Sequence, residues 1–345
     1  MRDSDHSNFY EFISQLPEQI KASQEIFAQS GIQKLPDTIN QVILLGMGGS
    51  AIAGDLLSAY LQWELPIPFI VNRNYSLPKY VDSRSLVLAC SYSGNTEETL
   101  YALQETLERG ATIIALTSNG KLKDLALKNQ LPLIEIPGGL PPRQALGYMF
   151  FPLLYLLQHA GFIDPRDNEI KETIDVLNTL RENNEPRNTH RNNFCSHIAR
   201  QLYGKIPIIY TASEMLQPVV TRWRNQLNEN SKILAFSNVF PELNHNEIMG
   251  WEAPPNLLEP FSILLLRDKD EYLRNTRRLE ISRDLWRKKN IPIFEIFGEG
   301  TSRLARLFSQ IYFGDWISYY MALLYEKDPI KIQSIDYLKK ALEKI

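Results

Sequence analysis

Three hydroxyl side chains lie close together in the sequence, directly after an apolar run. Ser91, Ser93 and Thr96 belong to the segment SYSGNTEET, which follows Leu86–Cys90 and then begins a helical pattern. Hydroxyl donors, free backbone amides and the positive end of a helix dipole together suit the phosphate group of a monoester. The alternative interpretation is a helix cap, with Ser93 or Asn95 at the N-cap position.

A second candidate loop is rich in glycine. The segment GMGGSAIAGDLL, residues 46–57, follows another short apolar run and leads into a helical pattern. Gly46, Gly48 and Ala51 fit the spacing of a dinucleotide-binding fingerprint with alanine in the last place. The acid that this fingerprint requires for the ribose is absent after the next apolar run, where Arg73 could instead accommodate a 2′-phosphate. Neither loop carries the lysine of a Walker motif, which disfavours nucleotide hydrolysis.

An arginine follows a turn rich in proline and glycine. In the segment PGGLPPRQALG, Arg143 stands at the start of an apolar helical pattern. A guanidinium at this place could stabilise negative charge that develops on a substrate. On residue type alone, an ordinary surface arginine is the alternative.

A glutamate and a histidine in the second half could act as base and acid. Glu229 in NQLNENSK falls at the end of a helical pattern, and His245 in PELNHNEIMGWE falls in a predicted loop. A carboxylate and an imidazole exchange protons near neutral pH. A solvated helix-end glutamate and a loop histidine are the alternatives. The spacing of His245 and Glu247 matches half of a zinc deaminase signature, but no Pro-Cys-x-x-Cys follows, so we expect no metal site.

The elements that must position these residues alternate between apolar runs and helical patterns. The runs are 42–45, 67–71, 86–89 and 112–116 in the first half, and 206–210, 233–236, 261–266 and 291–296 in the second. This alternation predicts the α/β class, with doubly wound parallel sheets covered by helices on both faces. Ligands of such sheets bind at the carboxyl ends of the strands, where both candidate loops fall.

The halves of the chain look like two copies of one α/β layout, with two unrelated domains as the alternative. The predicted organisation is an N-terminal helical segment (1–36), a first domain with the phosphate-binding loops (37–163), a polar helix and linker (164–193), and a second domain with the glutamate and histidine (194–345).

Composition excludes several classes of function. The 37 basic and 40 acidic residues give a net charge of −3, without the basic surplus of a nucleic-acid-binding protein. No apolar run approaches the length of a membrane span. The two cysteines do not suggest a disulfide framework. We therefore expect a soluble, cytoplasmic protein that binds neither nucleic acid nor membrane.

Together the motifs resemble a known enzyme family. GMGGSAIAGD, SYSGNTEET, PGGLPPRQALG and ELNHNEIMGW are similar, in this order, to segments of the bifunctional phosphoglucose/phosphomannose isomerases of the sugar isomerase (SIS) superfamily. The resemblance runs from about residue 40 to the C-terminus. It implies two SIS domains, each a five-stranded parallel sheet flanked by helices, and a homodimer whose active sites lie at the subunit interface.

The resemblance also implies roles for individual residues. The residues implied to bind the phosphate group are Gly49, Ser50, Ser91, Ser93 and Thr96. Arg143 would face the C1–C2 region of the sugar, and Glu229 would be the base that moves a proton between C2 and C1. His245 would assist ring opening and would come from the neighbouring subunit. A C-terminal lysine would share this work: it aligns with Lys339, and Lys340 is the alternative. The segment DPIKIQ departs from the Asp-Pro-Thr of many relatives.

The implied reaction is the interconversion of glucose 6-phosphate and mannose 6-phosphate with fructose 6-phosphate through a cis-enediol, without cofactor or metal. It needs a phosphate anchor, a carboxylate base and a cation, all of which the motifs offer.

One alternative is an NADP-linked oxidoreductase built on the glycine loop, which leaves Glu229 and the hydroxyl loop unexplained. Another is a non-catalytic SIS sugar-phosphate sensor. Such regulators usually carry a helix-turn-helix domain, for which residues 1–36 are too few.

Overall fold

The computed structural model describes residues 5–186 and 193–342, which fold into two α/β units. The elements of the first part are α1 (Phe9–Ser14), α2 (Leu16–Gln29), β1 (Gln41–Leu45), α3 (Gly48–Leu61), β2 (Phe69–Asn72), β3 (Ser85–Cys90), α4 (Glu97–Glu108), β4 (Thr112–Thr117), α5 (Gly120–Lys128), β5 (Leu133–Glu135), α6 (Leu146–His159) and α7 (Asp167–Asn184). Those of the second part are α8 (Phe194–Leu202), β6 (Ile206–Thr211), α9 (Gln217–Gln226), β7 (Phe236–Val239), α10 (Pro255–Leu258), β8 (Phe261–Arg267), α11 (Leu273–Arg287), β9 (Ile293–Phe297), α12 (Arg303–Leu324) and α13 (Gln333–Leu342). A π-helical turn spans Leu227–Ser231, and 3-10 helices span Pro142–Gln144, Glu242–His245 and Glu247–Glu252.

The first unit contains a parallel five-stranded sheet in the order β2-β1-β3-β4-β5. It comprises Gln15–Asp175 together with Ser302–Ala305. Every residue of β3 is buried, as expected of a parallel strand that is covered on both faces. On one face, Val87 of β3 shares a buried apolar cluster with Leu103 of α4 and Leu122 of α5.

Helix α3 covers the opposite face of this sheet. Ile43 and Leu45 of β1 belong to the cluster with α4 and α5, and Leu44 between them points the other way. A Cβ atom on Gly54 of α3 would lie only 2.8 Å from Cδ1 of Leu44, so a glycine is needed for this close packing. Helices on both faces make the sheet doubly wound, as the alternation of apolar runs predicts.

The second unit, formed by the rest of the described chain, has a parallel sheet in the order β7-β6-β8-β9. The prediction of five strands in each domain is therefore wrong here, because this sheet has four. Strands β6 to β9 repeat the order of β1 to β4. Among the described residues no strand corresponds to β5, since the chain leaves β9 at Phe297, passes through a short loop and enters the 22-residue helix α12.

A buried ion pair joins α9 to α12 in this unit. Arg222 donates from Nη2 to both carboxylate oxygens of Asp315, each at 2.9 Å, and Gln226 Nε2 donates to the same carboxylate at 2.5 Å. Next to this pair, Trp223 Nε1 donates to the Gln310 carbonyl at 2.8 Å. A Cβ on Gly314 would lie 2.5 Å from the Trp223 ring, so the two helices meet in van der Waals contact. The last turn of α9 is thereby fixed on α12.

Most of the strands coincide closely with the apolar runs, and the exceptions have local causes. The run 233–236 yields a strand that begins only at Phe236. Lys232 is left-handed with φ of 57°, and the Ala235 amide donates to Asn228 Oδ1 at 3.2 Å, so the first residues of the run serve as a connection. Strand β5 corresponds to none of the apolar runs because it has only three residues, although the resemblance implies a fifth strand in this sheet.

The ends of the predicted segments also differ from the units. Helix α1 groups with the second unit and α2 with the first, whereas the predicted boundaries place residues 1–36 in one segment. Of the segment 164–193, predicted as a polar helix and linker, Asp167–Asn184 form the helix α7, and residues 187–192 lie outside the described residues.

Candidate active site

The glycine loop lies at the carboxyl end of β1 and leads directly into α3. Gly48 is left-handed with φ of 50°, and the N-cap residue Met47 makes no side-chain capping bond. A Cβ on Gly49 would lie 2.9 Å from the Pro142 carbonyl oxygen. Only a glycine allows this approach, which places the 3-10 helix containing Arg143 against the glycine loop.

The hydroxyl loop at the carboxyl end of β3 depends on a similar close approach. Gly94 has φ of 70°, and a Cβ there would lie 1.6 Å from the Asn119 carbonyl oxygen in the loop after β4. The Leu122 amide donates to the Gly94 carbonyl at 2.9 Å, and the Lys121 amide donates to Asn95 Oδ1 at 3.2 Å. The loops after β3 and β4 therefore pack as one body.

The hydroxyls of this loop do not cap α4, so the helix-cap interpretation is wrong. The N-cap residue is Thr96, which makes no side-chain capping bond. Its hydroxyl shares a hydrogen bond of 2.8 Å with that of Ser91, and Ser93 Oγ accepts from the Asn95 amide at 3.3 Å. Within the described chain, α3 and α4 thus both begin without a side-chain cap, which leaves the positive ends of their dipoles to an anion.

Tyr92 connects the hydroxyl loop to its neighbours, a role that its place in the SYSGNTEET segment does not indicate. Its amide donates to Ser50 Oγ at 3.3 Å, and its carbonyl accepts from Ser118 Oγ at 2.7 Å. Burial raises the pKa of Tyr92, so its hydroxyl stays protonated and donates to the Pro137 carbonyl at 3.1 Å. The same oxygen accepts from the Leu140 amide at 2.9 Å. One tyrosine thus joins the glycine loop, the hydroxyl loop and the turn before Arg143.

Two arginines in this unit have different surroundings. Arg143 is buried, so the surface-arginine interpretation is wrong for it. Arg73, the residue proposed for a 2′-phosphate, forms an ion pair with Asp55 of α3. Because that pair already uses the guanidinium, the structure offers no support for NADP binding through Arg73.

Glu229 of the second unit lies on the π-helical turn that extends α9. The turn ends at Lys232, whose Nζ donates to the Glu229 carbonyl at 2.7 Å and to the carbonyls of Asp328 and Pro329 at 2.9 and 3.0 Å. A single ammonium group thus binds the DPIKIQ segment to the turn that carries Glu229. The spacing of the motif does not predict this contact, because the two segments are almost a hundred residues apart in the chain.

Helix α12 also anchors the π-helical turn. Asn230 Nδ2 donates to Ser318 Oγ at 2.9 Å, and Ser231 Oγ donates to the Ser318 carbonyl at 2.6 Å. Ser318 Oγ in turn donates to the carbonyl of Asp315, the residue whose carboxylate pairs with Arg222. All of these side chains are buried. Glu229 therefore projects from a turn that buried hydrogen bonds hold in place.

The other predicted acid-base residues are exposed. His245 ends the 3-10 helix Glu242–His245, and its imidazole makes no hydrogen bond within the described chain. Lys339 and Lys340 lie on α13, where none of the described side chains is buried.

Among the described residues, no three His, Cys, Asp or Glu side chains come together as a metal site requires. No described helix has the length and apolar character of a membrane span.

The close approach at Gly94 leads to a testable expectation. Gly94→Ala should destabilise the protein by more than the roughly 1–2 kcal/mol of a left-handed alanine, because its Cβ also collides with Asn119. It should also abolish binding of inorganic phosphate. Gly110→Ala is the matched control: φ is 69°, but no atom lies within 4 Å of its Cβ. Urea unfolding and phosphate titration measure both effects, and equal behaviour of the two variants would contradict the loop packing.

Models of two protein families match the chain. The model described as "SIS domain" matches residues 38–128, which contain both candidate phosphate loops. The model described as "Bacterial phospho-glucose isomerase C-terminal SIS domain" matches residues 191–342, which contain Glu229 and His245.

Similar proteins extend these matches to almost the whole chain. A bifunctional phosphoglucose/phosphomannose isomerase from Caldicellulosiruptor bescii is 46% identical over 97% of this chain and 99% of its own. Another from Aquifex aeolicus is 36% identical over 88% of this chain and 90% of its own. The crystal structure of a hypothetical protein from Thermus thermophilus has a TM-score of 0.78 at 15% identity, covers 98% of this chain and 91% of that one, and supports the fold. With two SIS domains and this identity along its length, the chain belongs to the bifunctional phosphoglucose/phosphomannose isomerase family.

Proposed function

We propose that this protein interconverts glucose 6-phosphate and mannose 6-phosphate with fructose 6-phosphate through a cis-enediol intermediate. The observation that carries the proposal is the hydroxyl loop, whose Ser91 and Thr96 bond to each other and leave α4 without a side-chain cap. The hydroxyls of this loop and the uncapped amides at the start of α4 suit a phosphate monoester. Membership of the family supports the choice of hexose phosphates.

The phosphate group is held by the first unit. The residues that bind it are Gly49, Ser50, Ser91, Ser93 and Thr96. Tyr92 keeps the two loops together through its bonds to Ser50 and Ser118. An anchor at C6 fixes a part of the substrate that does not react, and its binding energy positions the reacting carbons.

Proton transfer is the task of Glu229. Its carboxylate takes the proton from C2 of the open-chain aldose and returns it to C1. Meanwhile O1 gains a proton and O2 loses one, so the cis-enediol lies between aldose and ketose. Arg143 balances the negative charge that develops on the enediol oxygens. The bonds of Lys232, Asn230 and Ser231 hold the turn of Glu229 still, as a base with little freedom requires.

Ring opening precedes proton transfer, because the sugar phosphates are mainly cyclic. His245 serves as the acid-base group for the ring oxygen, assisted by Lys339 or by its neighbour Lys340 on α13. The exposure of His245 and of both lysines supports a role in contacts that do not belong to the packing of their own unit. No metal or cofactor takes part in this sequence of steps.

The protein acts as a homodimer in the cytoplasm, with His245 completing the site of the neighbouring subunit. Helix α13 supports self-association, since Ile335, Leu338 and Leu342 form an exposed apolar stripe at helical spacing. Two free, buried cysteines support a reducing compartment. Recovery of the protein outside the cytoplasm in a cell fractionation would contradict the location.

An isomerase assay tests the proposed reaction. Formation of glucose 6-phosphate from fructose 6-phosphate, coupled to its dehydrogenase, should proceed after prolonged dialysis against EDTA, and mannose 6-phosphate should also be consumed. The enediol loses the configuration at C2, so one carboxylate base serves both epimers. Binding without turnover would favour the sensor. Reduction of NADP without a coupling enzyme would favour the oxidoreductase, and activity that zinc restores after chelation would contradict the metal-free mechanism.

Mixed dimers test the role of His245 across the interface. Glu229→Gln and His245→Ala proteins should each keep only residual activity and should regain activity when their subunits are exchanged. A mixed dimer contains one site with both native residues, so random exchange should restore about a quarter of wild-type activity. No recovery, with exchange confirmed by native mass spectrometry, would place both residues in the site of one chain.

A further inference from the structure

Glu247, two residues after His245, is held by side chains from two strands. Tyr210, near the carboxyl end of β6, donates its hydroxyl to Glu247 Oε1. Asn238 of β7 donates from Nδ2 to Glu247 Oε2 at 2.5 Å. Both oxygens of this half-buried carboxylate are therefore used in hydrogen bonds. Its place close to His245 would make Glu247 a candidate base, but a carboxylate with both oxygens hydrogen-bonded is not free to take a proton.

The donors to Glu247 are themselves fixed. Tyr210 is fully buried, its ring lies 5.4 Å from that of Trp286, and Trp251 Nε1 donates to its hydroxyl oxygen at 3.2 Å. Burial, and next to it the charge of Glu247, raise the pKa of Tyr210. The phenol therefore remains protonated and donates to the carboxylate in a charge-assisted bond.

The backbone around His245 is pinned on both sides, while the imidazole is not. Before it, Leu243 is buried and Asn244 Nδ2 donates to Ser282 Oγ at 3.0 Å. After it, the Glu247 amide donates to Asn246 Oδ1 at 2.6 Å, and the Glu247 carboxylate reaches β6 and β7. The turn thus sets the position of the His245 Cα atom and the direction of its Cα–Cβ bond.

We propose that Glu247 is a positioning residue that fixes the turn of His245 through Tyr210 and Asn238. The inference rests on the proposed function, in which His245 opens the sugar ring. It adds a reason for the second acidic residue of the ELNHNE motif, which has no role in the proton transfers themselves. Loss of the carboxylate charge would weaken both bonds and leave the imidazole on a turn that is free to shift.

The test compares Glu247→Gln with Glu252→Gln, an exposed glutamate of the same 3-10 helix. Glu247→Gln should lower kcat for isomerisation by about 10–100-fold, the effect of displacing a catalytic group by about 1 Å. It should lower catalysed interconversion of the glucose 6-phosphate anomers, measured by exchange NMR, in parallel. KM should not change, because none of the phosphate-binding residues is altered. Tyr210→Phe should act in the same direction, and Glu252→Gln should resemble the wild type.

The decisive measurement is a double variant. If Glu247 acts through His245, then His245→Ala combined with Glu247→Gln should be no slower than His245→Ala alone. Losses that multiply would overturn the inference, and so would a Glu247→Gln protein that melts lower but keeps wild-type kcat and anomerisation.

A direct readout separates this inference from the proposed function. The Cε1–H signal of His245 in a ¹³C-labelled protein should shift or broaden in Glu247→Gln and stay unchanged in Glu252→Gln. A wild type that does not isomerise fructose 6-phosphate would contradict the proposed function, while this signal would still test the positioning. An unchanged His245 signal in Glu247→Gln would overturn the inference even if the enzyme is active.

Discussion

The proposed phosphate-binding face depends on backbone segments that approach each other more closely than any side chain allows. A Cβ atom on Gly94 would lie 1.6 Å from one carbonyl oxygen, and a Cβ atom on Gly49 would lie 2.9 Å from another. These contacts bring the loops after β1, β3 and β4 and the turn before Arg143 into one surface. Tyr92 bonds the loops to each other, and the hydroxyls of Ser91 and Thr96 bond to each other instead of capping α4.

The proposed acid-base residues of the second unit are supported in a different way. Glu229 lies on a π-helical turn that buried polar side chains hold on α12. Lys232 closes the turn with bonds to four carbonyls, two in the turn and two in the DPIKIQ segment. A short π-helical turn is an uncommon conformation, and such turns are frequent at functional sites. His245 is held less directly, by a turn whose anchor is a carboxylate. In this unit, the turn of the proposed base is therefore held by more buried hydrogen bonds than the turn of His245.

The sequence predicts the class of the fold, because buried parallel strands need continuous apolar runs and the covering helices need their own periodicity. It predicts Ser91, Ser93, Thr96, Glu229 and His245 as candidates because their residue types suit the chemistry. The four apolar runs of the second half correspond to the four strands of its sheet, whereas the fifth strand that the family resemblance implies for it is wrong. The sequence misses Tyr92, Lys232 and Glu247, whose importance lies in bonds to residues distant in the chain. Spacing along one segment carries no information about such contacts.

Transfer of the substrate proton to Glu229 is the central claim, and isotope exchange measures it most directly. When fructose 6-phosphate is converted in D₂O, the wild type should place deuterium at C2 of glucose 6-phosphate. Glu229→Gln keeps the shape of the side chain and should slow this incorporation by about 10²–10⁴-fold, while the Kd for fructose 6-phosphate stays close to that of the wild type. Glu252→Gln should exchange normally. Deuterium incorporation at the wild-type rate in Glu229→Gln would contradict the assignment and move the base to another residue.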